Sequence, residues 1–213
     1  MKYSKVLYLG GAPMVGKTTI AHIIASRLQY GCISTDDIGA GIASVTEPSS
    51  HPKFHYMSNL DYREYYVARN TNELILDINN QHDAIWPALL ALFKNHSTWD
   101  SKTIIEGWAL RPSYISKMSG DITGIFLLSD DSLIESRVRS SNFSNGASDP
   151  ETMIQRYIER SVWFNQLLKE QVAQHGLNAL SISTDMKPED IADECMELFY
   201  SKQKSITNHW RTT

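Results

Sequence analysis

Three features are scarce in this 213-residue sequence: cysteine, excess positive charge and long apolar runs. Its two cysteines, Cys32 and Cys195, lack a C-x-x-C spacing, which argues against structural zinc and favours a reducing compartment. A formal net charge of −4 argues against a general attraction to nucleic acid, so any polyphosphate site needs a local concentration of positive charge. The longest apolar run, 84–93, is far shorter than the roughly 20 residues that span a bilayer. We therefore expect neither a nucleic-acid nor a membrane partner.

The beginning and the composition of the chain indicate an ordinary globular protein. Residues 1–5 lead directly into an apolar segment, so we expect no signal peptide and a cytoplasmic location. A hydrophobic content of 42% is enough for a core, and the length fits a single domain over 1–213. We expect a monomer or a homodimer.

Residues 10–19 carry the most informative motif of the chain. They read GGAPMVGKTT and contain G-x-x-x-x-G-K-[ST], with an apolar strand predicted before them and a helix after them. In such a loop the backbone N–H groups and the helix N-terminus bind phosphate oxygens. We predict that Lys17 reaches the β- and γ-phosphates of a nucleoside triphosphate and that Thr18 binds Mg²⁺. The residues predicted to bind the nucleotide here are Gly11, Ala12, Pro13, Met14, Val15, Gly16, Lys17, Thr18 and Thr19.

Short apolar runs alternate with segments of helical spacing along most of the chain. Nearly continuous apolar runs are typical of parallel strands that are covered on both faces. The strands are predicted at 6–9, 32–34, 103–106, 122–128 and 179–183. Helices are predicted at 17–30, 131–140, 150–175 and 188–200. The pattern therefore predicts an α/β protein with a five-stranded parallel sheet between two layers of helices.

The segment 39–98 does not follow this alternation. Residues 39–55 are rich in Gly, Pro and Ser and are predicted to be a mobile loop. Two helices are then expected, one capped at 70–71 and one opening at Asp83; alternatively, Pro87 kinks a single longer helix. We interpret 39–98 as a helical lobe over the acceptor side of the site.

Three acids follow predicted strands. Asp36 and Asp37 come directly after the second strand, and Glu106 ends the third. Ligands of open α/β sheets lie at the carboxyl ends of the strands, so we predict that Asp36 accepts the proton of an acceptor hydroxyl. Asp37 is expected to orient the acceptor or a magnesium-bound water, and Glu106 to hold magnesium. The alternatives are helix capping by the aspartates and a backbone contact for the glutamate.

Several further side chains are candidates for the substrate side. Arg137, Arg156 and Arg160 flank an irregular Ser- and Asn-rich stretch, so residues 137–160 are predicted to form a lid whose arginines neutralise transferring phosphate. Trp108 and Arg111 follow the third strand and are predicted to line the acceptor pocket. Solvated charges and core packing are the alternatives for these residues. The polar tail, 201–213, is expected to fray, with Trp210 as a residue that can dock.

The order of these motifs resembles the small-molecule and nucleotide kinases of the phosphate-loop superfamily. The segments Ser34-Thr35-Asp36 and Ile105-Glu106-Gly107 look most like the 2-phosphoglycerate kinase and chloramphenicol phosphotransferase branches. The resemblance implies the three-layer fold of P-loop NTPases and ATP with Mg²⁺ as cofactors. It also implies that the loop after the fifth strand, with Thr184, touches adenine.

We therefore expect an ATP-dependent kinase that phosphorylates a hydroxyl of a small molecule. One alternative is a nucleoside monophosphate kinase, but the acceptor lobe has only Arg63 and Arg69 to bind a phosphate acceptor. The other alternative is a nucleotide-binding ATPase or switch without a small-molecule acceptor. A GTPase switch is disfavoured because the sequence lacks an Asn-Lys-x-Asp signature.

Overall fold

The computed structural model describes residues 3–57 and 60–209. A five-stranded, all-parallel sheet in the order β2-β3-β1-β4-β5 lies at its centre. The strands are β1 (Val6–Gly11), β2 (Gly31–Ser34), β3 (Thr103–Gly107), β4 (Ile122–Ser129) and β5 (Ala179–Ile182). The three central strands are almost entirely buried, as their apolar composition requires, and this confirms the predicted three-layer α/β fold.

Eight α-helices and one 3-10 turn connect the strands over the described residues. The helices are α1 (Lys17–Leu28), α2 (Thr35–Ser44), α3 (Tyr62–Ala68), α4 (Thr71–Thr98), α5 (Pro112–Ile115), α6 (Asp131–Ser140), α7 (Pro150–His175) and α8 (Pro188–His209). The 3-10 turn is Pro52–Phe54. Helices α6 and α7 have the predicted bounds, because Asp149 caps α7 and Gly176 ends it in the left-handed conformation.

Helix α2 is the main departure from the sequence prediction. Residues 39–55 were expected to be a mobile loop, but helix α2 covers the first part of that range and the 3-10 turn lies near its end. Ser34 starts α2 by accepting a hydrogen bond from the Asp36 backbone N–H. Gly39 is buried against the side chain of Ile85, so here glycine allows close packing of two helices.

Helix α4 is one continuous helix of 28 residues rather than a pair, with Pro87 inside it. A reciprocal capping box between Asn70 and Glu73 starts the helix. Its second half packs on the sheet through Ile85, Leu89 and Phe93, all in the main hydrophobic core. One helix therefore runs from the region above the sheet edge into the core.

Two helix ends also differ from expectation. Helix α1 ends at Leu28, two residues before its predicted end, and Gln29 caps it in the left-handed conformation (φ 56°). Helix α8 continues through the predicted tail to His209, and Trp210 lies outside the described residues. Over the described ranges, no helix is long and apolar enough to cross a bilayer.

Candidate active site

The loop after β1 has the geometry of a phosphate-binding nest. Gly16 has a φ of +93°, a conformation that L side chains rarely adopt, and it caps α1. Among the described residues, no side chain accepts a hydrogen bond from the N–H groups of the first turn of α1 as a cap. That turn also holds no acidic residue. The N–H groups at this helix start are therefore available to an anion, which the helix dipole also attracts.

Lys17 lies inside the curve of this loop. Its ammonium group donates to the Ala12 carbonyl oxygen at 2.7 Å, and the residue is only 9% exposed. Burial lowers the pKa of Lys17 to about 8, although the carboxylates of Glu106 and Asp36 act in the opposite direction. The loop thus holds a desolvated cation whose charge an incoming phosphate would stabilise.

Thr18, at the start of α1, contacts Glu106, near the end of β3. The Thr18 hydroxyl donates to Glu106 Oε1 at 3.1 Å, and Glu106 is 2% exposed. Burial raises the pKa of Glu106, while Lys17 and the Thr18 hydroxyl oppose that shift. Hard oxygen ligands of this kind suit Mg²⁺, which needs only one or two protein groups beside water and phosphate oxygens. Among the described residues no larger cluster of metal-ligating side chains occurs.

Gly107 allows the close contact between β3 and α2. It has a φ of +147°, and a Cβ atom there would lie 1.7 Å from the Thr35 hydroxyl oxygen. Only glycine fits this approach, which brings the start of α2 against the end of β3. Asp36, in the first turn of α2, is thereby placed beside the phosphate-binding loop.

The two aspartates of α2 differ in position. Both are exposed, but Asp36 lines two adjoining depressions in the surface, whereas Asp37 lines neither. Neither aspartate acts as a helix cap, because Ser34 takes that position. The geometry therefore favours Asp36 over Asp37 as the group that meets a substrate.

The first depression, called here the main cleft, has a volume of about 350 Å³. It runs from the loop residues Lys17 and Thr18 past Asp36 to Trp108 and Arg160. Five tyrosines complete its walls: Tyr56, Tyr62, Tyr65, Tyr66 and Tyr157. The second, called the side pocket, measures about 270 Å³ and adjoins the main cleft at Asp36 and Trp108.

Arg160 is a buried cation in the wall of the main cleft. It is 4% exposed and stacks among rings, with its guanidinium carbon 4.6 Å from the Trp108 ring centre and 4.8 Å from that of Tyr66. Over residues 3–57 and 60–209 it forms no ion pair with a carboxylate, and its Nε atom has no hydrogen-bond partner. A buried guanidinium without a counter-ion is costly, so it favours an anionic ligand in the cleft.

The other two lid arginines have different positions. Arg137 donates to the Met14 carbonyl oxygen at 2.8 Å and therefore lies against the phosphate-binding loop, and its role in a lid stays a prediction. Arg156 instead donates to the backbone carbonyls at the end of α3, including that of Val67 at 2.9 Å. This contact favours a structural role for Arg156, which caps α3, in place of the predicted catalytic one.

The segment between α6 and α7, which was predicted to belong to a lid, is irregular and is attached to α3. Glu64 accepts from both the backbone N–H (2.7 Å) and the hydroxyl (2.6 Å) of Ser148. The Tyr62 hydroxyl donates to the Phe143 carbonyl at 2.6 Å. These contacts hold the segment over the tyrosine-lined side of the main cleft.

Trp108 and Arg111, both predicted for the acceptor pocket, lie at different depths. Trp108 lines the main cleft and the side pocket. Arg111 is 6% exposed and lies behind the side pocket, where it donates to His82 Nδ1 at 2.8 Å and to Asn79 Oδ1 at 2.6 Å. Arg111 therefore holds other side chains in place and does not itself line either depression.

His82 lines the side pocket and is 1% exposed, and it belongs to no motif of the sequence. A signal was present, because His82 continues the helical spacing of Ile78, Ile85 and Leu89 on the buried face of α4. At the other side of the site, Thr184 is exposed in the turn after β5, and its contact with adenine stays a prediction.

Comparison with solved structures defines the class of fold. A gluconokinase from Sinorhizobium meliloti 1021 superimposes with a TM-score of 0.56 over 98% of this chain and 99% of that chain, at 13% identity. A dephospho-CoA kinase from Campylobacter jejuni gives 0.52 over 94% and 98%, at 15% identity. The chain has the fold of the small-molecule P-loop kinases, which confirms the predicted fold.

Curated sequences give a more particular likeness. The chain is 27% identical over 129 residues to a 2-phosphoglycerate kinase of Pyrococcus horikoshii, covering 60% of this chain and 42% of that protein. It is 25% identical over 178 residues to the 2-phosphoglycerate kinase of Thermococcus kodakarensis, covering 83% and 60%. The chain thus spans about half the length of these relatives, and no family model matches it. The predicted resemblance to this kinase branch is confirmed.

Proposed function

We propose that this protein is an ATP-dependent kinase that transfers the γ-phosphate to a hydroxyl of a small anionic molecule. The observation that carries the proposal is the main cleft, where the phosphate-binding loop and Lys17 lie next to the carboxylate of Asp36 and the cation of Arg160. Phosphoryl transfer needs mainly positioning and charge stabilisation, and this cleft offers groups for both.

The carboxylate of Asp36 is the group available to accept the proton of the acceptor hydroxyl. Lys17 and Arg137, both at the loop, stabilise the negative charge that spreads over the transferring phosphoryl group. Thr18 and Glu106 are the residues that would hold Mg²⁺. When bound, the ion neutralises phosphate charge and fixes the orientation of the triphosphate.

Arg160 supports an anionic acceptor, because it brings an uncompensated positive charge to the cleft wall. The names of the relatives support the same class, since 2-phosphoglycerate carries a phosphate and a carboxylate beside its hydroxyl. Arg160 is only 4% exposed among its surrounding rings, so water screens its charge less and charge recognition is stronger. We therefore include 2-phosphoglycerate as the first acceptor to be tested.

The test is acceptor-dependent release of ADP from ATP and Mg²⁺ over a panel of phosphorylated and carboxylated hydroxy compounds and nucleoside monophosphates. We expect a hydroxy acid or its phosphate ester to accelerate ADP formation, and no acceleration in the Lys17→Ala variant. Acceleration by a nucleoside monophosphate alone would favour the alternative kinase class. ATP binding without any active acceptor would favour the switch class and contradict the proposal.

Two further proposals follow from the sequence. We place the protein in the cytoplasm, with support from the sparse cysteines, of which Cys32 and Cys195 are both free thiols. We also propose that it acts as a monomer or a homodimer, which light scattering of the purified protein measures.

A further inference from the structure

A histidine in the wall of the side pocket has one nitrogen engaged and one without a partner. Arg111 Nε donates to His82 Nδ1 at 2.8 Å. Within the described residues His82 Nε2 has no hydrogen-bond partner, although the residue is only 1% exposed. A buried polar atom without a partner is costly, and such atoms in native proteins call for an explanation.

The contact with Arg111 determines which nitrogen carries the proton. The Nε–H of an arginine is always a donor, so Nδ1 of His82 has to be the acceptor and therefore carries no hydrogen. A neutral imidazole then bears its proton on Nε2, which points away from Arg111 because the two ring nitrogens lie on different sides of the ring. The unpartnered atom is thus an N–H donor.

The surroundings of His82 keep the ring neutral. Burial is the largest cause that lowers its pKa well below 6.5, and the cations of Arg111, Arg160 and Lys17 add to the effect. The ring is held by edge-to-face contacts, with its centre 4.8 Å from that of Trp108 and 5.8 Å from that of Phe164. Asp36 is the acid that lines the same side pocket. His82 is thus a fixed, uncharged donor whose ring lines the side pocket, while its Nε2 atom has less than 1 Å² of exposed surface.

We propose that the Nε2–H of His82 binds an oxygen atom of the acceptor once side chains of the side pocket shift and expose it, and that Arg111 is a positioning residue that fixes the required tautomer. This inference rests on the proposed kinase function. It adds a second specificity contact, which is a neutral hydrogen-bond donor in the side-pocket wall, whereas Arg160 is a charged group in the main cleft. A neutral donor recognises a hydroxyl, carbonyl or carboxylate oxygen. It disfavours an acceptor that presents an ammonium group or a hydrocarbon there, because the donor then stays unpaired.

Two substitutions separate the two nitrogens of His82. In His82→Asn the side-chain amide can take the place of Nδ1 and still accept from Arg111, but nothing replaces the donor at Nε2. In His82→Gln the longer side chain can carry an amide N–H to the position of Nε2. We expect His82→Asn to raise the acceptor KM about tenfold, the loss of one hydrogen bond, and His82→Gln to raise it no more than about threefold. The KM for ATP should change less than about twofold in both.

His96→Asn is the matched control, since it exchanges another histidine of α4 that lines neither the main cleft nor the side pocket. Arg111→Met should raise the acceptor KM in the wild-type background but much less in His82→Asn, because Arg111 acts through the histidine. Equal effects of His82→Asn and His82→Gln, or parallel changes in the KM for ATP and for the acceptor, would overturn the binding role and leave a purely structural one.

The tautomer can be tested without any substrate. A long-range ¹H–¹⁵N spectrum of the histidine side chains of the full chain should show His82 protonated on Nε2 alone, and its Nε2 signal should shift when 2-phosphoglycerate is added with ADP. A proton on Nδ1 would overturn the inference even if the protein is a kinase. If no panel compound accelerates ADP release, the proposed function fails and the acceptor contact is lost with it, whereas the tautomer measurement remains valid.

Discussion

The phosphate side and the acceptor side of the site are built in different ways. The phosphate side comes from one run of residues, 10–19, whose backbone groups and Lys17 act together. The proposed acceptor side combines side chains from α2, α3, α4 and α7, which are distant in sequence. A site built from consecutive backbone groups can therefore be recognised from a short motif. A site built from distant side chains cannot, because its composition depends on how the helices pack.

The largest effect should come from the phosphate side. We expect Lys17→Ala to lower kcat about 10³-fold, because it removes the cation that stabilises the transferring phosphoryl group. Steady-state kinetics measure the change, and circular dichroism checks that the variant is folded. Residual activity within tenfold of wild type would mean that the loop does not serve phosphoryl transfer.

A second effect tests where the two sides meet. Asp36→Asn should lower kcat about 10²-fold, since an amide cannot accept the acceptor proton, while Asp37→Asn should stay within about threefold of wild type. The pair forms a matched control, as both residues lie in the first turn of α2. If the two variants lose activity equally, Asp36 is not the base.

A third test concerns two arginines of the acceptor side that are four residues apart on α7. Arg160→Met should raise the acceptor KM at least tenfold, because it removes the buried cation from the main cleft. Arg156→Met should leave KM within about twofold but lower the melting temperature, since it removes the cap of α3. The reverse assignment of these effects would contradict the proposed acceptor site.

The smallest effect is a stability change on the phosphate side. The pKa of Lys17 in the folded protein, about 8, lies below its ordinary value of 10.5, so the unfolded chain binds more protons between these pH values. The contribution of Lys17 to the free energy of unfolding therefore increases as the pH rises from about 8 toward 10.5, and it is lost again as the pH falls to 8. Between pH 8 and 9 we expect the free energy of unfolding to gain about 1 kcal/mol from it.

Urea unfolding of wild type and Lys17→Met at the two pH values isolates this contribution. The variant should lack the gain, because other titrating groups are common to both proteins. An identical pH dependence in the two proteins would show that Lys17 is not desolvated in the apo state.

The same division explains how much could be predicted from sequence. The loop, the sheet and the bounds of α6 and α7 follow from local rules, namely apolar runs, Asp149 as a cap and Gly176 as a stop. Helix α2 was missed because Gly39 suggests a loop when read locally, whereas in the fold it allows contact with α4. A local penalty for glycine was outweighed by long-range packing.

The acceptor side could be predicted only in part. Asp36 and Trp108, which line the main cleft, could be picked out because they follow strands, and the carboxyl ends of parallel strands meet at one edge. The different roles of Arg156 and Arg160 could not be separated, since both belong to one helix and differ only in what lies opposite them. His82 could not be recognised as a site residue, because its spacing in α4 is the same as that of the apolar core residues around it.

The continuity of α4 has a consequence for how acceptor preference can change. At about 1.5 Å per residue this helix is roughly 42 Å long, and it is held at two places: Leu74 packs in a second hydrophobic cluster, and Leu89 and Phe93 lie in the main core. Gln81 and His82 lie between these two anchors and line the side pocket. Directed evolution toward new acceptors should therefore tolerate changes on α4 in the stretch between the anchors.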